Sequence, residues 1–225
     1  MPRSAQTLKR SKQNGPYSKR VKYSSSRASK PRSGALSTSR RALGVENKFL
    51  DTSFTGPLAL ADTWENVSGT VGLLNNIAQG DGESNRDGRK AILTSVHGKV
   101  EVQTGGNNPL RIIAFIDHQT NGAATSIATV LDTASSANDL LSFRNLQQTK
   151  RFTILCDETF SALQYGGGSD YVFNFNKKLD LPVQYSGSTP SIADVVDNSI
   201  QVWAYQATSV AGTTFDAEFR VRFIG

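Results

Sequence analysis

Asp81, Glu83, Asn85 and Asp87 alternate through the stretch "IAQGDGESNRDGRKAILTSV" (Ile77–Val96), with glycines at Gly80, Gly82 and Gly88. Oxygen ligands at alternate positions are what a calcium loop uses. An EF-hand loop also needs Gly at its sixth position and a bidentate Glu at its twelfth. Counted from Asp81, those positions hold Arg86 and Ile92, so the loop is not an EF-hand. A dinucleotide cradle needs a strand before its glycines and a helix after them. Here the sixth position from Gly80 is Asn85, and the residues beyond Lys90 alternate as a strand does. The stretch reads as a polar loop feeding a strand at Ile92, with Arg86 and Arg89 flanking Gly88.

Other chemistry-bearing residues are sparse. The two histidines are separated: His97 falls on the polar face of a predicted strand and His118 in the turn-like "DHQTNG". That is a poor match to the clustered histidines and carboxylate of a cupin-type oxygenase. Cys156 alternates with Phe152 and Ile154 and reads as a core residue rather than a nucleophile. "GGGSD" (Gly166–Asp170) reads as a flexible turn. The sequon Asn66-Val67-Ser68 has no apolar leader ahead of it and reads as coincidental. The expectation is a non-enzyme with no cofactor and no metal site.

The elements that must position these residues are bounded by composition. A chain of 225 residues buries a core without staples, and one cysteine excludes an intrachain disulfide. The longest apolar run, "LRIIAFI" (Leu110–Ile116), is short and contains Arg111, so no membrane-spanning helix is expected. The net charge of +6 conceals a division. Of the 25 Lys and Arg, twelve lie in residues 1–41: Arg3, Lys9, Arg10, Lys12, Lys19, Arg20, Lys22, Arg27, Lys30, Arg32, Arg40 and Arg41. All 19 acids lie beyond, the first being Glu46, so a +12 segment is joined to a −6 body of thirteen bases and 19 acids.

The first 44 residues are Ser-, Lys- and Arg-rich and poor in large apolar groups, a composition that cannot offset the entropy of ordering. They are expected to form a disordered basic arm, with residues 45–225 as a single folded domain. Three readings of the arm are open. It can bind a polyanion, with Tyr17 and Tyr23 available to stack on bases. Its Arg- and Ser-rich, acid-free composition also suits a mitochondrial transit peptide, and a plain solubilising tail is the third reading. Lys9-Arg10 followed by Lys19-Arg20-Val21-Lys22 additionally has the spacing of a bipartite nuclear-localisation signal.

From about Val45 the pattern has a period of two. Ile92, Thr94, Val96, Gly98, Val100 and Val102 are assigned to one face, with Leu93, Ser95, His97, Lys99 and Glu101 on the other. In "TFDAEFRVRF", Phe215, Ala217, Phe219, Val221 and Phe223 alternate with Asp216, Glu218, Arg220 and Arg222. "YVFNFNKKLDL" alternates through Tyr171, Phe173 and Phe175. Further strands are expected at Leu58–Trp64, Arg111–Asp117, Phe152–Asp157, Leu181–Tyr185 and Ile200–Ala207. Short helical turns are expected within Ser135–Leu146 and Pro190–Asn198. Phe152, Ile154, Phe173, Phe219, Val221 and Phe223 are the expected core. About eight short strands with decorated loops imply an all-β fold, a single eight-stranded antiparallel jelly roll.

Three segments in order then resemble a known family. "NIAQGDGESNRDGRKAILTSVHGKV" carries Ile77, Gln79, Gly80, Arg86 and Gly88 in the pattern I-x-Q-G, polar loop, R-x-G, long strand. "RIIAFIDHQTNG" ends in an Asp-x-Gln-x-Asn-Gly turn at Asp117, Gln119, Asn121 and Gly122. A loop then leads to the strand containing Arg151, Phe152, Leu155 and Asp157. Together they are similar to the capsid proteins of small circular, Rep-encoding single-stranded DNA viruses, nearest to those whose coats are similar to satellite tobacco necrosis virus. The resemblance implies a jelly-roll subunit of a small icosahedral shell of about sixty copies, with the arm inside on single-stranded nucleic acid, DNA in that group. It also implies residence in the virion and, during infection, the host nucleus, reached through an import receptor, with no membrane partner. Sixty arms would bring on the order of 700 positive charges to the genome. The alternative from another class is a cellular nucleic-acid-binding β-barrel with a basic tail, which requires aromatic and basic residues together on one sheet face. A sugar-binding or cytokine-like jelly roll would not need an acid-free tail.

Overall fold

The computed structural model describes residues 46–57, 64–66, 72–103, 109–133, 139–160, 170–206 and 214–225. The expected disordered arm, with all twelve of its cations, lies outside the described residues. The strands are β1 (Lys48–Pro57), β2 (Trp64–Asn66), β3 (Lys90–Gln103), β4 (Leu110–Asp117), β5 (Phe152–Phe160), β6 (Asp170–Gln184), β7 (Ser199–Gln206) and β8 (Thr214–Ile224). They form two four-stranded sheets, ordered β1-β8-β3-β6 and β2-β7-β4-β5, with every ladder antiparallel. The all-β expectation holds.

The first sheet is amphipathic because its strands alternate. In β8, Ala217, Phe219, Val221 and Phe223 are buried while Glu218, Arg220 and Arg222 are exposed. These inward side chains meet Val96, Val100, Val102 and Phe175 from their own sheet, and Ile112, Ala114, Ile116, Ile200 and Val202 from the other, in one apolar cluster. Gly98 makes room for this packing. A Cβ there would lie 2.4 Å from Cε1 of Phe175, whose ring sits 6.3 Å from that of Phe219.

β3 departs from the strict alternation expected of it. Its register against both β6 and β8 shifts between Leu93 and Ser95. The bulge turns the strand over, so Ala91 and Leu93 are buried before it and Val96, Gly98, Val100 and Val102 after it. Ile92 and Thr94 do not share the inner face with Val96, and Leu93 does not share the outer face with His97.

β4 is buried along its whole length. Leu110, Ile112, Ala114 and Ile116 face the first sheet, while Ile113 and Phe115 join Val130, Leu131 and Phe152 in a second cluster on the opposite face. The β4–β5 register shifts between Ala114 and Phe115, leaving Leu155 as the extra residue of β5. Cys156 therefore enters the main core, while Phe152 and Ile154, assigned to its side by alternation, lie on the other face. Ile154 and Phe173 are half-buried at the margins of their clusters rather than central.

The first strand, β1, was not anticipated. Of the strand expected at Leu58–Trp64, residues 58–63 lie outside the described residues, and β2 begins at Trp64. The strands expected at Tyr171–Leu181 and Leu181–Tyr185 are one, β6, whose Pro182 is accommodated because β6 is an edge strand. The two helical expectations reduce to 3₁₀ turns at Asp139–Leu141, Leu146–Gln148 and Ile192–Asp194, the last capped by the Ser191 hydroxyl. A one-turn helix, Ile127–Val130, was not foreseen.

Candidate nucleic-acid interface

The polar loop before β3 is organised by Arg86, whose side chain is fully buried. Its Nε donates to the carbonyl of Ile77 at 3.0 Å, and its two terminal nitrogens donate to the carbonyls of Gly88 and Gly187. The guanidinium carbon lies 4.2 Å from the centre of the Tyr185 ring. Burial pulls the guanidinium below its usual pKa, and no carboxylate among the described residues forms an ion pair with it. Arg86 is thus a clamp joining the loop to the 185–188 turn by carbonyl contacts. Asp87 is taken by Lys48, whose Nζ lies 2.5 Å away. That hydrogen bond raises the Lys48 ammonium pKa despite the opposing effect of burial. Among the described residues no three His, Cys, Asp or Glu side chains converge to hold a metal.

Two further arginines tie the described residues of 118–133 and 139–151 to β4 and β5. Arg111 forms a bidentate pair with Asp157 at 2.8 and 2.9 Å and donates to the carbonyls of Asp139, Leu140 and Ser142. At the other end of β4, Asp117 accepts from Arg151 at 2.9 and 2.8 Å, from the Thr125 hydroxyl and from the Gln119 backbone N–H. Burial works to raise the Asp117 carboxyl, but these donors outweigh it and hold the group below the usual carboxylate range. The segment held in this way presents Leu141, Phe143 and Leu146 to solvent, each more than three-quarters exposed. His118 is engaged by Asn198 at 2.6 Å and Thr153 at 2.9 Å.

The uncovered surface of the first sheet is read through its register. Across β1, β8, β3 and β6, one row holds Phe49, Arg222, Ser95 and Lys178. The next holds Asp51, Arg220, His97 and Asn176, and the third Ser53, Glu218, Lys99 and Asn174. A fourth contains Asp216, Glu101 and Val172. Successive rows are about 7 Å apart, two residues along each strand. Arg220 is locked to Asp51 by two 2.6 Å hydrogen bonds, which lower the Asp51 pKa and raise that of Arg220. The face therefore grades from two cations to two acids over about 20 Å.

The binding site expected from the sequence lies wholly in residues 1–41, outside the described residues. Of the body cations, Lys99, Arg220 and Arg222 are brought onto one face. The sequence did not single out Phe49 or Lys178. Their strands are distant in the chain, and the bulge in β3 decides which residues line up.

Comparison with curated proteins gives no match. Among solved structures, a chain from the crystal structure of the T13 IBDV viral particle is similar at 10% identity and a TM-score of 0.23. That likeness covers 80% of this chain and 40% of that one, and at so low a score it carries no argument about the fold. The family model for the satellite tobacco necrosis virus coat protein matches residues 32–224, which spans both sheets, the Arg86 loop and the last three arm arginines. The chain belongs to the satellite tobacco necrosis virus coat protein family.

Proposed function

We propose that this viral capsid protein assembles about sixty copies into a small icosahedral shell and packages single-stranded nucleic acid, DNA on the resemblance of its segments, through the cations of residues 1–41. The family match over residues 32–224 carries the reading. Three observations support its finer parts. The sheet orders β1-β8-β3-β6 and β2-β7-β4-β5 suit an eight-stranded jelly roll. The +12 arm on a −6 body suits a container whose cavity holds a polyanion. Leu141, Phe143 and Leu146 offer a firmly anchored apolar patch of the kind that contacts between copies bury. The Lys9-Arg10 and Lys19–Lys22 clusters would serve an import receptor in the host nucleus.

The test compares full-length protein with a form lacking residues 1–41. Full-length protein is expected to form shells of roughly twenty nanometres in negative stain, with a nucleic-acid absorbance signature that DNase removes after the shells are opened. The truncated form keeps every described strand and is expected to fold. It should remain unassembled or form shells without that signature. Monomers or trimers of the full-length chain would refute the shell reading. Packaging by the truncated form at the full-length ratio would refute the role of the arm.

A further inference from the structure

Phe49, Arg222, Ser95 and Lys178 form one cross-strand row at the end of the first sheet where the chain enters β1. The Phe49 ring is 39% exposed and is backed by the Arg220 guanidinium, whose carbon lies 4.9 Å from the ring centre. Asp51 in turn fixes that guanidinium. Arg222 and Lys178 are exposed and form no ion pair among the described residues, and two strand spacings, about 10 Å, separate them. The row lies in a shallow depression of about 670 Å³ lined also by Asn47, Thr94 and two cations that are already paired, Lys48 with Asp87 and Arg220 with Asp51. That leaves Arg222 and Lys178 as its uncompensated charges. Of the acids on this face, Asp51 in the next row is held by Arg220, and Glu218 lies two rows away opposite Lys99. Asp216 and Glu101, which would repel a phosphate, lie three rows away.

We propose that this row is a second nucleic-acid site, a platform on which an unpaired base stacks against Phe49 while Arg222 and Lys178 each hold a backbone phosphate. An aromatic ring flanked by cations on an open sheet is what single-strand binders use, because every base has a π-face and every nucleotide a phosphate. Ser95 and Thr94 add hydroxyl donors. The strand would be delivered from the arm, since Arg41 is seven residues before Lys48 and within about 25 Å along the chain. The inference rests on the reading that the arm binds single-stranded nucleic acid, and it adds a contact that the arm alone does not supply. An acidic segment of a second copy is the competing occupant, but it would have no use for the exposed ring.

The test measures binding of a fluorescent fifteen-nucleotide oligo-dT to unassembled full-length chain across a range of salt. Each lost phosphate contact on a single strand lowers the slope of log K against log salt by about 0.7. The double variant Lys178→Ala/Arg222→Ala is expected to lower it by about 1.4. The pair Arg144→Ala/Lys150→Ala removes equal charge from outside this face and should leave the slope unchanged. Phe49→Leu should weaken binding roughly tenfold at constant slope, Phe49→Trp should restore it, and a duplex should be insensitive to both. Unfolding midpoints confirm that the variants fold. Equal slope changes for the two charge pairs would overturn the proposal. So would variants at the row that block assembly yet bind oligo-dT normally, which would assign the row to contacts between copies. A wild-type chain without salt-dependent binding would overturn the arm reading and the platform together. Salt-dependent wild-type binding indifferent to all row variants would overturn the platform alone.

Discussion

Replacing Arg86 by Met keeps much of the side-chain volume but removes the only donors that the carbonyls of Ile77, Gly88 and Gly187 find in this side chain. Ile77 is fully buried, so its carbonyl carries most of the desolvation penalty, about 1–3 kcal/mol for an unsatisfied buried group. Gly88 and Gly187 are half-buried, and water can replace part of what they lose. The contact with Tyr185 adds about 1 kcal/mol. Against these stands relief from burying a cation that forms no ion pair with a carboxylate among the described residues. The balance is a loss of about 3 kcal/mol, or roughly 6–12 °C in Tm for a chain of this size. Arg86→Lys is expected to cost at least as much, because an ammonium keeps the buried charge without the planar fork that reaches three acceptors. The assay is thermal unfolding of unassembled subunits at fixed protein concentration, followed by intrinsic fluorescence. Arg86→Met melting within about 2 °C of wild type would refute the clamp, and so would Arg86→Lys melting well above Arg86→Met.

Phe219→Ala removes a ring at the centre of the sandwich and should destabilise by about 3–5 kcal/mol, read by urea unfolding; an unchanged midpoint would contradict the packing of β8. Cys156 is buried, and burial with the neighbouring Glu158 and Asp157 pushes its thiol up to about 12. Iodoacetamide at pH 8 should therefore label it only after denaturation. Asp117 has a folded pKa below the unfolded value of about 3.9, so its stabilisation is complete above that pH and is lost as pH falls through the lower value. Asp117→Asn should cost about 3 kcal/mol at neutral pH and flatten the acid limb of stability below pH ~4.

Strands with one wet face were legible because water and core sort their side chains. β8 alternates without interruption, and its inward residues were assigned correctly wherever their burial is described. β4 was recognisable as an apolar run, yet its burial on both faces depends on Arg111 finding Asp157, 46 residues on, and on Asp117 finding Arg151. No local pattern shows such pairings, although Asp117 and Arg151 both stood in the family-like segments. β1 was missed because Lys48 sits where alternation asks for an apolar residue. Its ammonium is neutralised by Asp87 from a distant loop. The bulges in β3 and β5 were invisible because partner strands set them, and each reverses the faces of the residues beyond it. The outer row of Phe49, Arg222, Ser95 and Lys178 depends on one of those bulges, so composition alone does not reveal it.

β8 lies between β1 and β3, though more than a hundred residues separate Gln103 from Thr214. A ribosome releases β1 and β3 long before the strand that joins them. Until β8 inserts, β1 has no hydrogen-bonding neighbour in its sheet and β3 has one bare edge, which any extended chain can occupy. Pairings this remote in sequence place the subunit among slow folders, on the scale of milliseconds to seconds. Under the proposed function, the cations of residues 1–41 precede every described strand and need no fold to attract a polyanion, whereas the row spanning four strands exists only once β8 has closed the sheet. Under the two proposals synthesis and folding impose an order: electrostatic capture would be available to the nascent chain, and the stacking surface only to the finished one.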